Sequence, residues 1–203
     1  MARKTIYSPH PSLALTMKWV KELPVKTGRS LDEWKSFINK KGPATEKERV
    51  TWLKKDLNLG TNTAHWLAIQ SLGGGAEDLD PVEYLKKAEQ WVEEMCTRKP
   101  LLEPLYWDVI HLVKKLGKDV RICPCQTMVP FYRNNVFAKV TFSTRTRLDL
   151  GLCLRGVPFS SRLTDTGGTA RKDRITHNIA ILSKDDVDGE LESWLLKAYE
   201  MDA

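Results

Sequence analysis

The sequence predicts an α+β protein: a helical N-terminal domain followed by an antiparallel β-meander flanked by helices. Three observations predict it. Apolar residues recur at three- and four-residue spacing as far as Leu116. Beyond Lys118 the spacing falls to two, and β-branched and aromatic residues take over. The run Gly73-Gly74-Gly75 sets the first four helical segments apart from the rest. The domains are read as 1–75, a linker and bridging helix over 76–100, and 101–203.

In order along the chain, Ser12 is placed to cap a first helix that buries Leu13, Met17, Val20 and Leu23, with Pro24 as its expected end. Ser30 and Glu33 form a capping box before a helix carrying Leu31, Trp34, Phe37 and Ile38. After Gly42-Pro43, Thr45 and Glu48 repeat the device ahead of Val50, Leu53 and Leu57. Asn58-Leu59-Gly60 turns the chain into a fourth helix from about Asn62 to Leu72. Asp80-Pro81 opens an acidic helix running to about Thr97, and Pro104 opens another that buries Leu105, Val109, Leu112, Val113 and Leu116. Strands are expected near 120–123, 127–132, 136–143, 147–154 and 176–182, with a tight turn at Asn134-Asn135. Val136, Ala138, Val140 and Phe142, and likewise Leu148, Leu150, Leu152 and Leu154, alternate cleanly and should meet a helix. Residues 156–175 read as a long polar loop, and Ser183 as the cap of a last helix through Leu191, Trp194, Leu195 and Ala198.

Composition narrows the function classes. With 41% hydrophobic and 29% charged residues the chain is far from the signature of disorder. No apolar run approaches the ~18 to 20 residues of a membrane span. The start, through Pro9, lacks the apolar core of a secretory signal, so a cytoplasmic protein with no membrane partner is expected. Cys96, Cys123, Cys125 and Cys153 match no disulfide framework, and Cys123-Pro-Cys125 with distant His111 and His177 lacks zinc-ligand spacing; neither metal nor cofactor is expected. The net charge of +6 is segregated: +7 over residues 1–60, −5 over 61–109, +9 over 110–182 and −5 over 183–203. Such asymmetry directs attention to an anionic partner, nucleic acid first among them.

Several separated motifs resemble known families. Thr27-Gly28-Arg29-Ser30-Leu31-Asp32-Glu33-Trp34, Gly42-Pro43-Ala44, the run from Lys47 to Lys54 and Leu59-Gly60 resemble the bacterial family called domain of unknown function 4287, over about residues 10–75. Phe137-Ala138-Lys139-Val140, the run from Thr144 to Leu152 and the closing run from Glu192 to Tyr199 resemble domain of unknown function 5655, over about 101–203. The resemblance implies no established activity. Relatives of the second family also occur attached to predicted nuclease domains, which implies a nucleic-acid setting, although no nuclease motif matches here.

Period-2 spacing places Phe137, Lys139, Thr141 and Ser143 on the face opposite the apolar one, with Arg147, Asp149, Gly151, Cys153 and Arg155 on the neighbouring strand. Arg133, Arg145, Arg162, Arg171, Lys172 and Arg174 extend this set from turns and the long loop. Guanidinium groups grip phosphate oxygens in pairs, so the face is the candidate site for an anionic ligand or nucleic acid. The competing reading is a solvated face in which Arg147 pairs with Asp149. A second candidate is a helix-turn-helix around Asn58-Leu59-Gly60, with Thr61, Asn62, Thr63 and His65 at the start of the recognition helix. Catalysis has less support. His10, His65, His111 and His177 stand alone in sequence, His111 reads as structural, and Thr166-Gly167-Gly168-Thr169 lacks the phosphate-loop lysine. No catalytic residue is assigned, and a noncatalytic binding module is expected. The alternative is a small-molecule binding protein or enzyme with a pocket between sheet and helices.

Overall fold

The computed structural model describes residues 5–203. The chain forms two compact units, Pro9–Tyr84 and Leu85–Ala203, the second also taking in residues 5–8.

The first unit contains α1 (Ser12–Thr27), α2 (Leu31–Lys41), α3 (Glu46–Lys55) and α4 (Thr61–Ser71). Both capping boxes form: Glu33 N–H donates to Ser30 and Glu48 N–H to Thr45, while each glutamate accepts from its cap's backbone. Trp34, Ile38, Leu53, Ala64, Leu67 and Ala68 make the core, with Phe37, Val50 and Trp52 packed around it. Arg49 is also buried, an outcome that apolar periodicity does not announce. Its guanidinium donates to Pro43 O (2.8 Å), Asn39 Oδ1 (2.9 Å) and Ser71 Oγ (2.7 Å), so neutral acceptors from three parts of the unit hold it.

The expectations for α1 need correction. Ser12 is the first helical residue and gives no side-chain cap; its hydroxyl lies 2.7 Å from His10 Nδ1. Pro24 sits inside the helix, which closes only at Gly28 in the left-handed region (φ 77°). In the last turn a proline forfeits one N–H while the rest of the turn can close, and the Thr27 hydroxyl takes up Leu23 O at 2.7 Å. Of the anticipated stripe only Leu13 and Leu23 are buried; Met17 is exposed.

The second unit contains most of α5 (Pro81–Arg98), α6 (Glu103–Leu116), six strands and two further helices. The strands are β1 (Arg121–Ile122), β2 (Met128–Tyr132), β3 (Val136–Phe142), β4 (Leu148–Leu152), β5 (Thr164–Asp165) and β6 (His177–Ile181), in the antiparallel order β1-β2-β3-β4-β6-β5. Helix α7 (Gly168–Arg171) is one turn, and α8 (Gly189–Glu200) is the last. Val129, Phe131, Ala138, Val140, Phe142, Leu148, Leu150, Leu152, Ile179 and Ile181 form the buried inner face. Tyr106 of α6 meets Phe142 with ring centroids 5.6 Å apart, and Tyr199 of α8 meets Phe137 at the same separation.

The sheet also departs from the sequence reading. Residues 156–175 are no simple loop, since they contain β5 and α7. Ser183 caps a short 3-10 turn over Lys184–Asp186, and α8 takes Asp188 as its cap through the Leu191 N–H at 2.9 Å. His111, expected to be structural, is exposed, whereas His177 is buried, its ring nitrogens 2.8 Å from Thr176 Oγ1 and 3.0 Å from Val157 O.

Candidate anion-binding face

The outer face of the sheet is built from the alternate residues of β3, β4 and β6. Lys139 stands across from Gly151, Thr141 from Asp149, and Gly151 from Asn178. Lys139, Thr141, Asp149 and Asn178 are half-buried and Ala180 is exposed, so this face meets solvent. Phe137 does not belong to it. The register slips between Phe131 and Tyr132, which pair with Ala138 and Val136, so Phe137 is the extra residue of a β-bulge. It is fully buried against Tyr199 and 6.4 Å from the Phe131 ring. The same bulge leaves Val136, expected inside, half-buried.

Gly151 decides what can lie on this face. A Cβ there would stand 2.7 Å from Ile175 Cγ2 and 3.3 Å from Lys139 Cγ. Its absence lets Ile175 and the stem of Lys139 rest flat on the strand. Arg155 follows a few residues after β4, and its guanidinium approaches Asp173 O at 3.4 Å, which brings the 171–174 turn beside it. Arg174 reaches Val136 O at 3.3 Å, at the start of β3. Lys139, Arg155, Arg171, Lys172 and Arg174 are thus gathered around one end of the outer face.

The other candidate cations stand elsewhere. Arg145 and Arg147 belong to the β3–β4 turn. There Asp149 receives the Ser143 hydroxyl, Asn178 Nδ2 at 3.2 Å and the Arg147 guanidinium, the closest pair of charged atoms being 3.1 Å apart. Arg133 lies on the Tyr199 ring, 4.3 Å from its centroid, and pairs with Asp119 at 2.8 Å. Arg162 pairs with Asp188 at 2.6 Å and Glu190 at 2.8 Å.

Ion pairing divides the set further. Arg171 binds Asp173 at 2.9 Å and Arg174 binds Asp202 at 2.8 Å. Asp202 is a buried clasp: it also accepts from Asn135 N (2.7 Å) and Asn135 Nδ2 (3.1 Å). The Arg162 guanidinium and the Leu191 N–H drive the Asp188 carboxyl down to about 2. Asp119 is lowered as well, by the Tyr199 hydroxyl first and then by Arg133. Five of the candidate cations therefore have carboxylate partners. Among the described residues Lys139, Arg145, Arg155 and Lys172 have none.

The helix-turn-helix candidates lie in the first unit. Asn58 (φ 51°) makes the left-handed turn before α4, and Thr61, Asn62 and His65 are exposed, with Thr63 half-buried. His65 Nδ1 lies 3.9 Å from Glu46 Oε1. One turn further on, Trp66 is turned edge-to-face against Trp19 of α1, 4.7 Å between centroids. Helix α1 therefore stands beside the second turn of the helix that a DNA groove would have to receive.

Fold and site together define a two-unit α+β protein whose second unit carries a solvated, partly cationic sheet face. Residues 93–202, more than half of the chain, match the family described as domain of unknown function 5655, and the chain belongs to that family. Residues 17–72 match a second family, domain of unknown function 4287. No curated protein and no solved structure matches the chain.

Proposed function

We propose that the second unit is a noncatalytic binding module for an anionic ligand, with nucleic acid the first candidate, held at the end of the outer sheet face by Lys139, Arg155 and Lys172. The observation that carries this reading is that none of the three has a carboxylate partner among the described residues, while the Lys139 stem lies against Gly151, Arg155 approaches Asp173 O and Lys172 precedes Asp173 in the same turn. Thr141 and Asn178 supply neutral hydrogen-bonding groups along the same face. Phosphate oxygens would replace the water that now solvates the three charges, and each neutralised phosphate would release counterions. Arg145 stands at the far turn and would serve only a ligand long enough to run the length of β3, about 20 Å at ~3.3 Å per residue.

Anisotropy of a labelled single-stranded oligonucleotide, titrated at several salt concentrations, tests the reading. Three phosphate contacts predict a slope of log affinity against log salt of about −2. The triple change Lys139→Ala, Arg155→Ala, Lys172→Ala should abolish that slope, whereas Arg133→Ala should leave it. No salt-dependent binding of either oligonucleotide or inorganic pyrophosphate would refute the assignment.

A further inference from the structure

Within the first unit, α1 and α4 leave an open depression of about 430 Å³ whose lining includes Leu15, Trp19, Asn62, Thr63, Trp66 and Asp78. Its walls are aromatic. The Trp19 and Trp66 ring planes meet at 81°, so the two indoles form a right-angled corner, and Leu15, 70% exposed, extends the apolar rim. Beside that corner is a carboxylate. Asp78 Oδ2 accepts the Trp66 indole N–H at 3.0 Å.

The charge of Asp78 lacks compensation. It is half-buried, and among the described residues no cation pairs with it. No Lys or Arg occurs between Lys55 and Lys86, a stretch that contains Glu77, Asp80 and Glu83. Burial pushes the Asp78 carboxyl above its ordinary range; the Trp66 N–H opposes this and Glu77 adds to it. Lys18 of α1, the nearest basic residue to Trp19 in sequence, acts on Glu22. A half-desolvated anion supported by one N–H, beside two indoles whose faces carry negative quadrupoles, is complementary to a weakly hydrated cation.

We propose that this depression binds a small organic cation of the alkylated ammonium type, its methyl groups against Trp19 and Trp66 and its charge facing Asp78. Asn62 and Thr63, on the first turn of α4, offer hydrogen bonds to a hydroxyl carried beyond the cation, which makes choline the probe of choice. The site is independent of the sheet face in the other unit.

The experiment titrates the full chain with choline and with its uncharged carbon isostere, dimethylbutanol, following tryptophan fluorescence and heat. Choline should saturate at least about tenfold more tightly than the isostere, because only the cation gains from the rings and the carboxylate. Asp78→Asn keeps an acceptor for the indole and Trp19→Ala changes a half-exposed side chain; each should weaken choline by about tenfold with the far-UV spectrum unchanged. Equal binding of choline and isostere, no saturation by choline, or an unchanged affinity in a folded Asp78→Asn protein would overturn the proposal. The choline-to-isostere comparison needs no variant and decides the matter even where a substitution unfolds the unit.

Discussion

Two regions of the second unit hold similar numbers of basic side chains and treat them in opposite ways. Near the C-terminal segment, Arg162 and Arg174 are clamped by Asp188, Glu190 and Asp202, and Arg133 packs on Tyr199 while pairing with Asp119. At the Gly151 end of the sheet Arg171 keeps Asp173 and Arg174 reaches Asp202, but Lys139, Arg155 and Lys172 meet no carboxylate among the described residues. A charge excess counted along sequence is therefore not a surface potential. Residues 110–182 carry +9, yet the −5 of residues 183–203 folds onto them, and residues 85–203 as a whole hold 19 Lys and Arg against 16 Asp and Glu. The clamped arginines are part of the scaffold, and the open cations are what a partner can use.

The clamped side of the unit is most sensitive at Asp202. Asp202→Ala strips the partners from Asn135 and Arg174 at a buried site, and a loss of about 3 kcal/mol in denaturant unfolding is expected. Gly168→Ala comes next. Its Cβ would run into the backbone carbonyl of Ile175, so the 167–175 segment must shift, at about 2 kcal/mol, and oligonucleotide binding should fall with it. Arg162→Ala should cost about 1 kcal/mol at neutral pH, discounted because Asp188 and Glu190 are largely solvated.

The Arg162 change also has a pH signature. Asp188 is depressed from 3.8 to about 2, so the stability it contributes is present above pH 3.8 and is lost as pH falls toward 2. Melting curves of the native protein should drop more steeply across that window than those of the Arg162→Ala variant. The smallest stability effect sharpens the contrast: replacing Lys139, Arg155 and Lys172 together should move stability by no more than about 0.5 kcal/mol while weakening anion binding. If that triple change destabilised the unit as Asp202→Ala does, the distinction between scaffold and open cations would fail.

Local devices were the most legible part of the molecule. Ser30 with Glu33 and Thr45 with Glu48 announce helix starts because the bonds they make span three residues. The alternation from Leu148 to Leu152 announces a strand buried on one side for the same local reason. Period-2 spacing misplaces Phe137 because a bulge is a property of two strands, and one strand's spacing does not contain it. Pro24 looks like a stop in sequence because its effect depends on the turn in which it falls. The pairing of the arginines was hidden by distance: Arg162 finds Asp188 and Arg174 finds Asp202 only after the last helix returns. Trp19, Trp66 and Asp78, far apart in the chain, carry no joint motif at all.

The two-residue rims of the sheet, β1 and β5, have a consequence for behaviour in concentrated solution. Each leaves too short a row of open amides and carbonyls to template an incoming strand, and Pro130 on the adjoining β2 removes one donor more. Rims this short disfavour strand addition by geometry, and lengthening either by a few β-branched residues is the shortest route to making the unit aggregate.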